Sequence, residues 1–209
     1  VISNESFGFQ VSESGSAYTW SKNSRENKIT PWNNDMVKDT LGEVLYLRDE
    51  NSKDVWSITK EPITGENEYI VRHGFGYSKF EHSHNGIDGN LTMFVPRNEN
   101  LKVMILSLKN STKDTRKISL TYFAQMNMGV IPEENYEKIV TSMGEGYAMA
   151  KNPYGAVFKD LITYLSINGE ENISYTGSRE EFIGRQGEIK SPAAMKSEDL
   201  NGTFGAGVD

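Results

Sequence analysis

The 209-residue sequence predicts an all-β fold: a large antiparallel sandwich of two sheets with little or no helix. Three observations carry that expectation. Apolar residues recur with period 2 far more often than with period 3.6. The candidate strands are short and divided by turns rich in Gly, Asn and Asp. Only one stretch, PEENYEKIV, has helix-start features, with Pro132 at its head and acids in the first turn.

In chain order, EVLYLRDENSKDVWSIT reads as strand, charged turn, strand. In GYSKFEHSHNGIDGNLTMFVP, Asn85-Gly86 is a tight turn between two strands, because a type I′ turn needs residues that tolerate positive φ. LKVMILSLKN is apolar on both faces, as expected where sheets stack on both sides. The polar NSTKDTR is then a hairpin loop into RKISLTYFAQMNMGV. There Ile118, Leu120, Tyr122, Ala124, Met126 and Met128 share one face, with Ser119, Thr121, Gln125 and Asn127 on the other. EKIVTSM, GYAMAK, AVFKD, LITYLSI, ISYTGS and LNGTFGA supply further strands. No repeat of fixed period and no low-complexity linker appears, so residues 1–209 are expected to form a single domain. The lack of an initiator Met and the glycines at 202, 205 and 207 suggest a piece of a longer polypeptide.

Composition limits function. A net charge of −7 without clustered Lys and Arg argues against nucleic acid or an anionic membrane face as partner. Without Cys there is no disulfide framework and no thiolate metal site, which fits a reducing, cytoplasmic location. No apolar run approaches the roughly 20 residues that span a bilayer, so direct membrane insertion is not expected.

Several enzyme classes drop out. There is no Gly-x-Ser-x-Gly elbow, no His-Glu-x-x-His, and GFGYSK has the wrong spacing for a phosphate loop. His82 and His84 share a strand face at a spacing that zinc sites use, but no third ligand is evident. A pair of surface or interface imidazoles is the expectation, with no metal. In VRHGFGY, Gly74 and Gly76 indicate a tight corner, with Arg72 and His73 as secondary ligand candidates. Glu13, Glu26, Asp35, Glu43 and Asp49 are general acid or base candidates by residue type alone, so no catalytic residue is assigned.

One segment resists the strand reading. SESGSAYTWSKNSRENKITPWNND, from Ser12 to Asp35, holds two Trp, one Tyr and four Asn around an Arg-Glu pair with almost no aliphatic residue. Sugars present flat C–H faces rimmed by hydroxyls, and aromatic rings with Asn, Arg and carboxylates match both features. Tyr18, Trp20, Asn23, Arg25, Glu26, Asn27, Trp32, Asn33 and Asn34 form the candidate substrate-contacting loop. The alternative has the two indoles plugging the core while the polar residues satisfy the loop.

NSRENKITPW and GRQG, with FGFQVSESGSAYTW, YIVRHGFGYSKFEHSHNGI and KNPYG, resemble the N-terminal β-sandwich of the phosphorylases of glycoside hydrolase family 94. The likeness covers nearly the whole chain, and within the family it points to enzymes of β-1,2-glucan, with the cellobiose enzymes more distant. It implies a supersandwich that precedes a helical linker and an (α/α)6 catalytic barrel, neither of them in this sequence. It implies inverting phosphorolysis by the parent enzyme, giving α-glucose 1-phosphate. Inorganic phosphate would be the co-substrate, bound outside this domain, with no further cofactor. It implies as partners the catalytic barrel, a second copy in a homodimer and a β-glucan oligosaccharide. By itself the chain would be catalytically inactive. Two alternatives stand beside that reading: a synthase parent, which would make the chain the cytoplasmic part of an inner-membrane enzyme, or an autonomous carbohydrate-binding module.

Overall fold

The computed structural model describes residues 1–35, 37–168 and 172–207, and they are nearly all sheet. The chain divides into two compact units, residues 1–24 with 32–124, and residues 25–31 with 125–209.

The first unit holds three antiparallel ladders. β1 (Ile2–Ser3), β2 (Phe7–Val11) and β3 (Ala17–Ser21) pair in sequence order. β4 (Glu43–Asp49) lies between β5 (Val55–Ser57) and β10 (Ile118–Ala124). β6 (Tyr69–Gly74), β7 (Tyr77–His84), β8 (Ile87–Phe94) and β9 (Val103–Asn110) form a meander. Its inward rows Phe80, Ile87, Leu91 and Met93 join Phe9, Leu45, Leu47, Trp56 and Ile58 in one apolar core. Asn85 (φ 44°) and Gly86 (φ 79°) make the tight β7–β8 turn, as their residue types predict.

The second unit is built on β11 (Val140–Gly144), β12 (Tyr147–Lys151) and β13 (Ile162–Leu165). One short helix, α1 (Arg179–Ile183), is capped by the Ser178 hydroxyl, which accepts from the Glu181 N–H at 3.2 Å. A chain of buried amides fills part of the interior. Asn135 Nδ2 donates to Asn127 Oδ1 at 2.9 Å, and Asn152 Nδ2 donates to Asn135 Oδ1 at 3.3 Å.

The all-β antiparallel class agrees with the sequence, but the details shift. Four antiparallel sheets form among the described residues where two were expected, and residues 25–31 and 125–139 meet at the bridge Lys28↔Gly129 and in backbone bonds to the Ile29 carbonyl without joining any of them. The predicted long strand from 116 to 130 stops at Ala124, and Met128 beyond it adopts φ 46°. β9 is an edge strand with much of its surface exposed; β4, flanked on both sides, is the one buried throughout. NSTKDTR connects two different ladders and is no hairpin, since β9 pairs with β8. AVFKD and PEENYEKIV are 3-10 turns, while ISYTGS and LNGTFGA make no ladder.

Candidate functional site

The stretch Ala17–Ser21 of the puzzling aromatic segment is a strand, β3. Alternation in Ala17–Ser21 places Ala17, Thr19 and Ser21 opposite Val11, Phe9 and Phe7, facing the core, and leaves Tyr18 and Trp20 on the other face. The sequence reading of a loop there misses this, because Tyr, Thr and Trp are strand formers whatever their polar neighbours.

On that face Tyr18 is held between two indoles. Its ring stacks on Trp32 at 4.9 Å with the planes 1° apart, and meets Trp20 at 5.2 Å and 37°. Tyr18 is therefore only 6% exposed, and burial raises its phenol above the ordinary range. Trp20 and Trp32 remain half-buried. Trp20 lies across Gly8, its register partner: a Cβ at Gly8 would sit 2.5 Å from the indole. A ring braced on glycine backbone from one side is fixed in position and keeps its other side for contact.

Asn23, Asn33 and Asn34 are exposed. Asn33 Oδ1 accepts the Asp35 N–H at 3.1 Å, and Asn34 takes φ 54°. Asp35 accepts the N–H groups of Val37 (2.8 Å) and Lys38 (3.2 Å), which hold its carboxyl below the usual range. Farther along, Ser12 donates to Asp39 at 2.7 Å and Ser16 to the Thr40 carbonyl at 2.5 Å, anchoring the β2–β3 turn.

The remaining candidates separate from this cluster. Arg25, Glu26 and Asn27 belong to the second unit. There Arg25 Nε is 3.4 Å from Glu26 Oε1 in an exposed pair. Asn27 is 2% exposed, so its amide serves the interior and presents no surface to a ligand. Arg72 points outward from β6 and pairs with Glu81. His73 lies on the opposite face of the strand and is exposed, its Nδ1 2.8 Å from Ser78 Oγ.

Two of the candidate carboxylates, Glu43 and Asp49, are committed to structure. Glu43, 5% exposed, accepts the hydroxyls of Thr19 (2.6 Å) and Tyr122 (2.8 Å) and the Lys102 ammonium. Burial, then the Glu43 charge, raises the Tyr122 phenol far above its usual range. Asp49 accepts from Ser52 and Asn51 and pairs with Arg116, which lowers its carboxyl. His82 is 3% exposed, stacked on Tyr69 at 3.8 Å, while His84 stacks on Trp56 and meets Asp54 at 2.6 Å. The expected surface imidazoles are thus core packing, since the shared strand face is the inward one. Among the described residues no three His, Asp or Glu gather for a metal.

The family model for the Glycosyl hydrolase 94 supersandwich domain matches residues 1–209. The chain belongs to that family. It is 32% identical over 202 residues to the cyclic beta-(1,2)-glucan synthase NdvB of Rhizobium meliloti, covering 94% of this chain and 7% of that protein. It is 28% identical over 204 residues to the N,N'-diacetylchitobiose phosphorylase of Vibrio proteolyticus, covering 93% of this chain and 25% of that enzyme. The Vibrio furnissii enzyme of the same name is 26% identical over 202 residues, again covering 25% of its length. The chain therefore spans about a quarter or less of these relatives. It corresponds to the supersandwich part of the glycosyl hydrolase 94 family, distinct from the catalytic barrel. No helix among the described residues is long and apolar enough to cross a membrane.

What the sequence reading missed is the bracing. Gly8↔Trp20, Gly74↔Tyr77 and Gly144↔Tyr147 are all cross-strand pairs in which a Cβ on the glycine would lie within 2.5 Å of the ring. The repeated Gly-x-Gly-Tyr at 74–77 and 144–147 is the signal in the sequence for the two hairpin cases.

Proposed function

We propose that this chain is the non-catalytic, carbohydrate-binding and assembly domain of a β-1,2-glucan phosphorylase. The observation that carries the reading is the Trp20–Tyr18–Trp32 stack, braced on Gly8 and accompanied on the chain by the exposed amides of Asn23, Asn33 and Asn34. Half-buried indoles beside exposed amides suit the alternating apolar and hydroxyl faces of glucose units. The parent enzyme would split the glucan with inorganic phosphate, with inversion, to α-glucose 1-phosphate. Its acid and its phosphate site would lie in the barrel, and a homodimer would be the working form. The commitment of Glu43 and Asp49 to buried ion pairs fits a domain with no chemistry of its own.

A second reading takes the chain as the equivalent domain of a cyclic β-1,2-glucan synthase, in which case it would lie on the cytoplasmic side of an inner membrane. The 32% identity to such a synthase favours it. Both readings share the ligand. Calorimetric titration of the chain with linear β-1,2-gluco-oligosaccharides, against cello-oligosaccharides and chitobiose, tests the site, with glucose 1-phosphate release measured in parallel. Selective binding of the β-1,2 series that Trp32→Ala weakens tenfold or more, without phosphorolysis, is expected. Equal affinity for all three series would remove the linkage assignment, and phosphorolysis would remove the non-catalytic one.

A further inference from the structure

The outward face of the β6–β9 meander carries a second braced aromatic beside a polar depression, in an order set by register. The first row across the sheet is Gly74, Tyr77, Phe94 and Val103; the second is Arg72, Lys79, Thr92 and Ile105. The third is Ile70, Glu81, Asn90 and Ser107, and the fourth Ser83, Asp88 and Lys109. Rows lie two residues apart, so the face grades from aromatic to polar over about 20 Å, the reach of a few sugar rings.

The tyrosine has the posture described for Trp20. A Cβ at Gly74 would fall 2.3 Å from the Tyr77 ring, yet Tyr77 is 43% exposed, and Phe75 at the hairpin tip stands in solvent. The other half is a shallow, open depression walled by the side chains of Glu81, Ser83, Asp88, Asn90, Ser107 and Lys109. Its carboxylates are already neutralised or bonded. Glu81 pairs with Lys79 at 2.9 Å and with Arg72, while Asp88 accepts the Ser83 and Ser111 hydroxyls, each at 2.6 Å. Asn90 makes only long bonds, 3.3 Å to Glu81 and 3.4 Å from Thr92. Three cations, Arg72, Lys79 and Lys109, against two carboxylates leave an excess of one charge on this face, a weak field for an ionic partner to follow. Oriented amide and hydroxyl groups beside a ring suit a neutral polyol chain.

We infer that this face is a second glycan-binding surface, on which a neutral gluco-oligosaccharide lies along the strands with one sugar on Tyr77 and the next units over Asn90 and Ser107. It is separate from the Tyr18 cluster and does not need that cluster to bind sugar. Two such surfaces on one chain would raise its retention on a polymer beyond that of either one.

The test uses amide NMR of the 209-residue chain carrying Trp32→Ala, titrated with linear β-1,2-gluco-oligosaccharides. Shifts at Lys79, Glu81, Asn90 and Ser107 are expected, with about tenfold weaker binding on adding Tyr77→Ala or, as a second variant that removes no ring, Asn90→Ala. An unperturbed face at saturating sugar overturns the inference, as does binding indifferent to both variants. Perturbation of the face by a protein partner but by no sugar overturns it as well. Wild-type shifts confined to residues 18–34 would sink this surface and leave the proposed function standing. Shifts confined to the meander would do the reverse.

Discussion

The two units solve the same problem with different interiors. The first buries a continuous apolar cluster running from Phe9 through Leu47 and Trp56 to Leu91. Among the described residues the second gathers Met128, Ile139 and Ala150 into one small cluster, with Met126 against it, buries Phe182, Ile183, Ala194 and Met195 as well, and adds the buried amides of Asn27, Asn127, Asn135 and Asn152. The difference follows from what each must satisfy. Strands in the first unit pair in ladders, so their carbonyls need no help. In the second, the loop carbonyls of Met128, Gly129 and Ile131 point inward and are met by the amides of Asn152 (3.2 Å), Asn127 (3.0 Å) and Asn135 (2.8 Å). Where a loop runs through an interior, amides take the place of methyls.

Core truncation should give the largest effect. Leu91 is fully buried, and Leu91→Ala should cost about 2–5 kcal/mol, while Leu91→Met, which keeps volume, should cost less than about 1.5 kcal/mol. Asn135 should behave the other way round. Asn135→Ala leaves the Asn127 oxygen and the Ile131 carbonyl without that donor, at about 1–3 kcal/mol for each orphaned group. The near-isosteric Asn135→Asp, which removes the donor and buries a charge, should be no better tolerated. Urea denaturation of the four variants measures this. If Asn135→Asp is as mild as Leu91→Met, the amides are fillers and the contrast between the interiors collapses.

Braced rings come next in size and appear in both units. Gly8→Ala should displace Trp20, and Gly144→Ala should displace Tyr147, since either new Cβ collides with a ring. Each should destabilise its unit by about 1–3 kcal/mol, as overpacking does. Only Gly8→Ala should weaken binding of β-1,2-gluco-oligosaccharides. Trp32→Ala is the complement. It removes a half-buried ring, so it should cost less stability than Leu91→Ala while lowering sugar affinity tenfold or more. Loss of stability as large as that of Leu91→Ala, with sugar affinity unchanged, would make Trp32 a core plug.

How much of this was legible in the sequence depends on whether the cause was local. The Asn85-Gly86 turn and the β4–β5 pair depend on residues adjacent in the chain, and both stand where the pattern puts them. Extended segments such as 173–178 read as strands because propensity sets backbone shape, but a ladder needs a partner strand, and among the described residues that segment joins no sheet, although Gly177 N–H bonds the Thr203 carbonyl at 2.7 Å. β9 is apolar on both faces, which suits burial on both sides, yet it lies at the sheet edge, which only topology decides. The site was half legible. Composition marked Tyr18, Trp20 and Trp32, but the ring order, the glycine brace and the burial of Asn27 arise from register and the division into units.

The smallest effect sharpens the comparison most cleanly, because all three histidines, His73, His82 and His84, lie in the first unit. His82 Nδ1 faces the Glu68 carbonyl at 3.1 Å and so carries the proton, while Nε2 is buried with no partner. Burial lowers its pKa, the Glu68 carbonyl opposes the shift, and nearby His84 adds to it. A depressed folded pKa means the unfolded chain takes the proton first. Stability is then complete above about pH 6.5, the ordinary imidazole value, and falls as pH drops through the window between that value and the lower folded one. His82→Phe keeps the stack on Tyr69 and removes the titration, so it should flatten that decline. Hydrogen exchange read unit by unit between pH 7.5 and 5.5 should show the loss in residues 32–124 and not in the histidine-free residues 125–207. A decline of equal slope in both would mean the two interiors unfold as one cooperative body, and that the amide core shares its stability with the apolar one.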